Sequence, residues 1–357
     1  MNIRELLEFM VQQNISDIHF KANCAPLIRL HGQLISAQKE TFTPEMVKDM
    51  AYSVMSDRNK KRFEEEGELD FSYAVDHVSR FRVNIYRQKG TLALSLRVIP
   101  WEMKTFEELH LPAQTLQKLC VMPSGLILIA GVTGAGKTTT MNTMLHYINQ
   151  NYAYNIITVE DPVEFYHKDK KSSISQREVG NDTQSFNSAL KYILRQDPDV
   201  IVIGEMRDPE TVAAAVVAAE TGHLVLSTIH TIDASHTVQR IVDSYPPPQQ
   251  AQMRLSVANI LRGVIAQKLV PTADGKDRLP CTEILLMTPY IRQMIAENKM
   301  PEVYSSMARG QNDGMMTFDQ DLLRLCREGR ISKETALAET SRPDNFLSML
   351  QGISVKL

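Results

Sequence analysis

Residues 131–138 read Gly-Val-Thr-Gly-Ala-Gly-Lys-Thr, which matches the phosphate-loop pattern G-x-x-x-x-G-K-[ST]. Binding a phosphate oxygen takes several N–H donors converging on one point, and glycine permits that curl because it has no Cβ to clash. An apolar run at 126–130 precedes the loop and a helical pattern at 139–149 follows it. The loop therefore opens a helix whose N-terminus adds partial positive charge. Gly131, Thr133, Gly134, Ala135, Gly136, Lys137, Thr138 and Thr139 are expected to hold the phosphates of a nucleotide. Lys137 should reach the β- and γ-phosphates, and the Thr138 hydroxyl should ligate Mg²⁺.

Hydrolysis needs more than a phosphate cradle. Open α/β sheets place their ligands at the carboxyl ends of the strands, and the next two apolar runs both end in acid. Residues 156–159 lead into Glu160-Asp161-Pro162-Val163-Glu164, and 200–203 lead into Gly204-Glu205-Met206-Arg207. One cluster offers a base to orient water and the other a carboxylate for the Mg²⁺ shell. Acid at a strand end also serves as a helix cap, but two such clusters beside a phosphate loop favour chemistry. A further apolar run, 224–227, is flanked by His223 and His230. Both flank a strand expected beside the γ-phosphate, where a polar side chain could sense whether that phosphate is present.

The chain that must position these residues has 357 of them, about two domains' worth. Its formal charge of −3, with 43% hydrophobic and 23% charged residues, fits an ordinary globular protein with no global field for nucleic acid or anionic lipid. Cys24, Cys120, Cys281 and Cys326 form no CxxC pair or ligand-spaced cluster, as expected of reduced thiols in the cytoplasm. Glu5, Glu8 and Asp17 interrupt the apolar N-terminus, unlike a signal peptide. The longest purely apolar run, 212–219, is well short of the ~18 residues of a spanning helix, so a cytoplasmic protein is expected.

Residues 1–100 read as a first domain, 101–123 as a linker containing one short helical pattern, and 124–357 as a second domain that is largely helical from about 246. Ile3, Leu6, Leu7, Met10 and Val11 recur at helical spacing, so the first domain opens with an amphipathic helix ending near Asn14. Strands follow at 18–20, 26–30 and 33–37, with a turn at His31-Gly32. Thr43-Pro44-Glu45 caps a helix running to about Val54. In 79–99, Phe81, Val83 and Ile85 alternate with Arg80, Arg82 and Asn84, and after Lys89-Gly90 a second alternating run carries Arg97. Period two predicts a half-buried hairpin with its arginines on the exposed face, either simply solvated or waiting for an anion. The second domain alternates short apolar strands with helices, which predicts an α/β fold with a covered, mostly parallel sheet.

These residues together resemble a known family. The loop at 131–138, Glu160 to Glu164, Gly204-Glu205-Met206-Arg207-Asp208, and Thr221-Gly222-His223 through His230 are similar to the Walker A, Asp, Walker B and His boxes of the type IV pilus and type II secretion ATPases. Gln176-Arg177-Glu178-Val179-Gly180 and Leu194-Arg195-Gln196-Asp197-Pro198-Asp199 also read like that family. The resemblance covers essentially the whole chain. It implies a RecA-like P-loop ATPase domain, a smaller PAS-like α+β N-terminal domain, a helical C-terminal extension and a homohexamer.

Further implications concern the site. Glu164 would be the base for the attacking water, Glu205 would hold Mg²⁺ through water, and His230 would join the catalytic set with Lys137. His223 would join the nucleotide-binding set. Arg80 and Arg97, more than Arg82, would reach ATP at domain or subunit junctions. The chain lacks the longer N-terminal region and four-cysteine zinc element of extension and secretion members, which points to the retraction branch. Tyr290-Ile291-Arg292-Gln293-Met294-Ile295-Ala296-Glu297 and Gly314-Met315-Met316-Thr317-Phe318-Asp319-Gln320 lean towards its accessory, PilU-type members. The expected partners are an inner-membrane pilus platform protein, met peripherally from the cytoplasm, and a sister retraction ATPase. A RecA-like nucleic-acid motor shares the phosphate chemistry, but the acidic balance and 6% aromatics argue against nucleic acid as a partner.

Overall fold

A computed structural model describes residues 3–13, 15–30, 33–37, 39–75, 78–99 and 103–351. The chain divides into two compact units. One comprises Met1–Glu102, Glu160–Lys168 and Gln176–Gln184, and the other the remainder.

The first unit begins with α1 (Ile3–Gln12), which buries Leu6, Leu7 and Met10 as its spacing predicts. Strands β1 (Asp17–Lys21), β2 (Leu27–Leu30) and β3 (Gln33–Ser36) follow. Helices α2 (Pro44–Ser53) and α3 (Asp57–Glu66) then lead to β4 (Glu68–Val75), β5 (Ser79–Gln88) and β6 (Thr91–Ile99). The six strands form an antiparallel sheet in the order β3-β2-β1-β6-β5-β4. This is the PAS-like domain. Phe81, Val83 and Ile85 are fully buried on one face of β5, packed with Phe20, Phe63 and Leu96. The Thr43 hydroxyl accepts from Met46 N at 3.2 Å with Pro44 opening α2, as expected. Helix α3 gives almost no periodic signal because its Asp-Arg-Asn-Lys-Lys-Arg-Phe-Glu-Glu-Glu sequence buries only Asn59 and Phe63. The turn at His31-Gly32 and the end of the first helix at Asn14 lie outside the described residues.

In the second unit, α4 (Ala113–Cys120) precedes β7 (Gly125–Ala130), α5 (Lys137–Asn151), β8 (Asn155–Glu160), β9 (Ser173–Glu178) and α6 (Phe186–Ile193). Then come β10 (Val200–Ile203), α7 (Pro209–Glu220), β11 (Leu224–Ile229), α8 (Ala234–Asp243) and α9 (Pro247–Ile260). The sheet order is β13-β12-β7-β11-β10-β8-β9, where β12 is Leu261–Pro271 and β13 is Arg278–Leu286. Strands β12, β7, β11, β10 and β8 run parallel, so residues 131, 204 and 230 follow the carboxyl ends of β7, β10 and β11, and residue 160 closes β8. Every residue of β7, β10 and β11 is buried, which explains their unbroken apolar runs. Helices α10 (Pro289–Ala296), α11 (Met300–Arg309), α12 (Phe318–Arg327), α13 (Lys333–Glu339) and α14 (Pro343–Leu350) complete the chain.

The short helical pattern expected within 101–123 is α4, whose Leu116, Leu119 and Cys120 share a core with Ile127 and Ile129 of β7. The segment after 246 is not simply helical, because β12 and β13 pair antiparallel across the Asp274-Gly275 turn. Strand β12 starts directly after α9 with no turn residue between them, and most of it is buried, so neither punctuation nor alternation marks it.

Candidate active site

The phosphate loop runs from the end of β7 into α5, with Gly136 at φ +86°. A Cβ at Gly131 would lie 2.5 Å from the Gln267 carbonyl and 2.9 Å from the Ala135 Cβ, so only glycine fits beneath the loop. Gln267 is a buried residue of β12 that sequence reasoning missed. Its Nε2 donates to the Ala135 carbonyl at 2.7 Å, and its Oε1 accepts from the Thr140 hydroxyl at 2.6 Å. A lone glutamine within Val264-Ile265-Ala266-Gln267 was the available signal, but it carried meaning only once the segment was known to be a strand.

Lys137 is buried, and its Nζ donates to the carbonyls of Gly131 (2.9 Å) and Val132 (3.1 Å). It also lies 3.3 Å from His230 Nδ1. An ammonium group only donates, so His230 Nδ1 accepts and the imidazole proton resides on Nε2. That nitrogen is 2.7 Å from Glu205 Oε1, and Glu205 Oε2 is 2.8 Å from Arg207 Nε. Strand ends β7, β10 and β11 thus bring Lys137, Glu205 and His230 into one connected chain. Thr138 and Thr139 occupy the first turn of α5.

His223 is elsewhere. It precedes β11, while His230 follows that strand, so the six residues Leu224–Ile229 separate them. Its Nδ1 is 3.0 Å from the Ala218 carbonyl, and its own carbonyl accepts from Gly125 N at 3.0 Å, at the start of β7. Both histidines thus flank β11 as expected, but from its opposite ends, and only His230 lies beside Lys137.

The acidic loop after β8 belongs to the first unit. Glu164 is half-exposed, and its Oε1 lies 3.3 Å from Arg82 Nη1. Asp70 of β4 grips the same guanidinium through both oxygens, with a shortest contact of 2.6 Å. That hydrogen bonding raises the Arg82 pKa above its ordinary value, despite the burial that opposes it. The favoured arginines stand differently. Arg80 lies over the Tyr166 ring at 5.0 Å, and Arg97, 66% exposed, pairs with Asp17 at 2.6 Å. Arg82, the least favoured, is the arginine beside Glu164.

A cavity of about 520 Å³ opens beside the phosphate loop, lined by Val132, Thr133, Leu269, Arg278, Tyr304 and Phe318 among others. Glu283, also in its wall, is buried and accepts from Ala234 N at 3.0 Å. Burial pushes its carboxyl from 4.5 up to about 7. Between those values the folded chain keeps a proton that the unfolded chain releases, so Glu283 makes stability fall as pH rises through that window. Glu283→Gln keeps an oxygen for the Ala234 amide and should flatten the slope, melting above wild type at pH 8. Identical curves of melting midpoint against pH for the two proteins would contradict this.

The parallel sheet, with β11 set between the phosphate-loop strand and acid-bearing β10, and the linked Lys137, His230 and Glu205 define a P-loop ATPase of the RecA-like class. The chain belongs to the family described as Type II/IV secretion system protein, which matches residues 2–312. It is 41% identical to the type IV pilus retraction ATPase PilT of Pseudomonas aeruginosa, across 97% of this chain and 100% of that relative. It is 37% identical to the type IV pilus ATPase PilU of the same organism, across 100% of this chain and 97% of PilU. A crystal structure of the pilus retraction motor PilT with bound ADP superposes with a TM-score of 0.89 at 43% identity, covering 97% of this chain and 98% of that one. The chain is thus similar to both PilT and PilU. Among the described residues, no helix is long and apolar enough to cross a membrane.

Proposed function

We propose that this chain is a cytoplasmic homohexameric motor that couples ATP hydrolysis to type IV pilus retraction, working peripherally on an inner-membrane platform protein and alongside a sister retraction ATPase. The observation that carries the reading is the contact chain from Lys137 through His230 to Glu205, which ties the phosphate loop to the acid-bearing strand. The amides of 134–138 take the phosphates, and Lys137 exchanges the carbonyls of Gly131 and Val132 for phosphate oxygens. The adjoining cavity, about 520 Å³, suits a nucleoside. Glu164 accepts the proton of the attacking water.

The Thr138 hydroxyl and the Glu205 carboxylate form a hard oxygen donor set that fits Mg²⁺. When bound, Mg²⁺ would neutralise charge on the β- and γ-phosphates. Phosphate release by the purified protein, with its mass followed by light scattering, tests the reading. A hexamer that turns over ATP equally with and without single-stranded DNA supports it. An assembled protein that releases no phosphate, or does so only with DNA, overturns it.

Arg80 and Arg97 are proposed to act on nucleotide across a subunit junction. Each alanine variant should then lower turnover of the assembled hexamer far more than it weakens ADP binding, because an arginine finger contributes when the junction closes. Turnover at the wild-type rate in hexamers of both variants would leave these arginines as a solvated face.

A further inference from the structure

We propose that Glu178 is a positioning residue for the reaction, fastening the acidic loop that carries Glu164 to strand β4. Glu178 ends β9 and is 3% exposed, yet its sequence neighbours offer no apolar pattern that would demand burial. Its two carboxylate oxygens serve different elements. One accepts from Ser72 N of β4 at 3.2 Å, and the other accepts from Val163 N of the acidic loop at 3.2 Å. The Asn181 side-chain amide is a third donor. The backbone N–H of Glu178 donates to Asp182 Oδ2 at 2.8 Å, which pins the end of the strand.

The contacts close into a ring. Val163 is the covalent neighbour of Glu164, and Glu164 meets Arg82. Arg82 is held by Asp70, and Asp70 lies two residues from Ser72 on β4. Glu178 supplies the link that completes the circuit between the loop backbone and the strand backbone. Gln176, two residues earlier, holds the far side of the loop: it accepts from His167 N at 2.8 Å and donates to the Phe165 carbonyl at 2.7 Å. The segments 160–168 and 176–184 accordingly group with the N-terminal sheet as one compact body.

The chemistry demands a carboxylate. An ionised Glu is acceptor-only, with two oxygens, and here it meets only donors. In Glu178→Gln one oxygen becomes an NH₂ group, which must face either the Ser72 or the Val163 N–H, donor against donor. In Glu178→Asp the shorter stem cannot serve both amides. Either change leaves a buried N–H without its acceptor, a loss equivalent to about ten-fold or more in an equilibrium. Fastening matters to turnover because a base displaced by a fraction of an ångström no longer meets its water. The phosphate loop makes none of these contacts, so nucleotide affinity should stand.

The proposal rests on Glu164 being the base, and its test is arranged to separate the two claims. Both Glu178 variants are compared with wild type for kcat, for ADP dissociation constant and for amide exchange at Val163 and Ser72. The expected result is a kcat lower by about ten-fold or more, an ADP Kd within about two-fold of wild type, and faster exchange at Val163. Adding Glu178→Gln to Glu164→Gln should lower kcat little further, because both act through one group. Unchanged exchange at Val163, or faster exchange with wild-type kcat, overturns the proposal. So does a loss of ADP affinity matching the loss of kcat, which would mark a merely structural residue. Wild-type turnover in the single variant Glu164→Gln would instead remove the base assignment and leave the exchange result to decide the fastening alone.

Discussion

Lys137→Ala is expected to reduce ATP hydrolysis to background. The ammonium is buried and held by the carbonyls of Gly131 and Val132, so it is already aimed at the concave side of the loop. In the proposed function its charge offsets what develops on the β- and γ-phosphates, and preorganised charges of this kind are the largest single contribution in many active sites. Neither neighbour can replace it. His230 presents Nδ1 as an acceptor, and Arg207 is engaged by Glu205. Nucleotide binding should weaken as well, since the loop loses both a phosphate ligand and the contact that ties it to His230. Phosphate release under saturating Mg-ATP checks the first effect and ADP titration the second. Turnover near the wild-type rate would remove the phosphate-loop assignment.

Glu164→Gln is expected to leave nucleotide bound while turnover falls by roughly 10² or more. Volume and shape are kept, but the amide has no basic oxygen to take a proton. The ion pair with Arg82 is lost too, although Asp70 still holds the guanidinium through both oxygens. Because binding depends on the phosphate loop, ADP affinity should match wild type, and the split between binding and turnover is the signature to measure. Persistent turnover would move the base to Glu160 or Glu205, the other carboxylates at the strand ends.

Local chemistry was the most legible part of this chain. The phosphate loop declares itself because its function requires consecutive residues, and the burial of Phe81, Val83 and Ile85 follows from strict alternation. What escaped depends on distant pairing. Gln267 acquires its role only when β12 lies beside β7, and nothing at the α9–β12 junction announces a strand. Alternation put Arg80, Arg82 and Arg97 on one face but could not rank them, since the ranking depends on Asp70, Tyr166 and Asp17 across three other segments. The two histidines looked equivalent around an apolar run, yet a six-residue parallel strand places them at its opposite ends. The short helical pattern within 101–123 was legible, but that its Leu116 and Leu119 fill a core beside β7 was not, because that depends on tertiary packing.

The most direct measurement is the speed of pilus retraction, followed by fluorescence microscopy in cells that lack this chain and are complemented with wild-type, Lys137→Ala or Glu164→Gln protein at matched expression. In the proposed function, hydrolysis by the chain itself drives retraction. Wild type should therefore restore the speed, and both variants should leave it at the level of the deletion strain. Full restoration by either variant, once its loss of ATPase activity has been verified on purified protein, would contradict the claim.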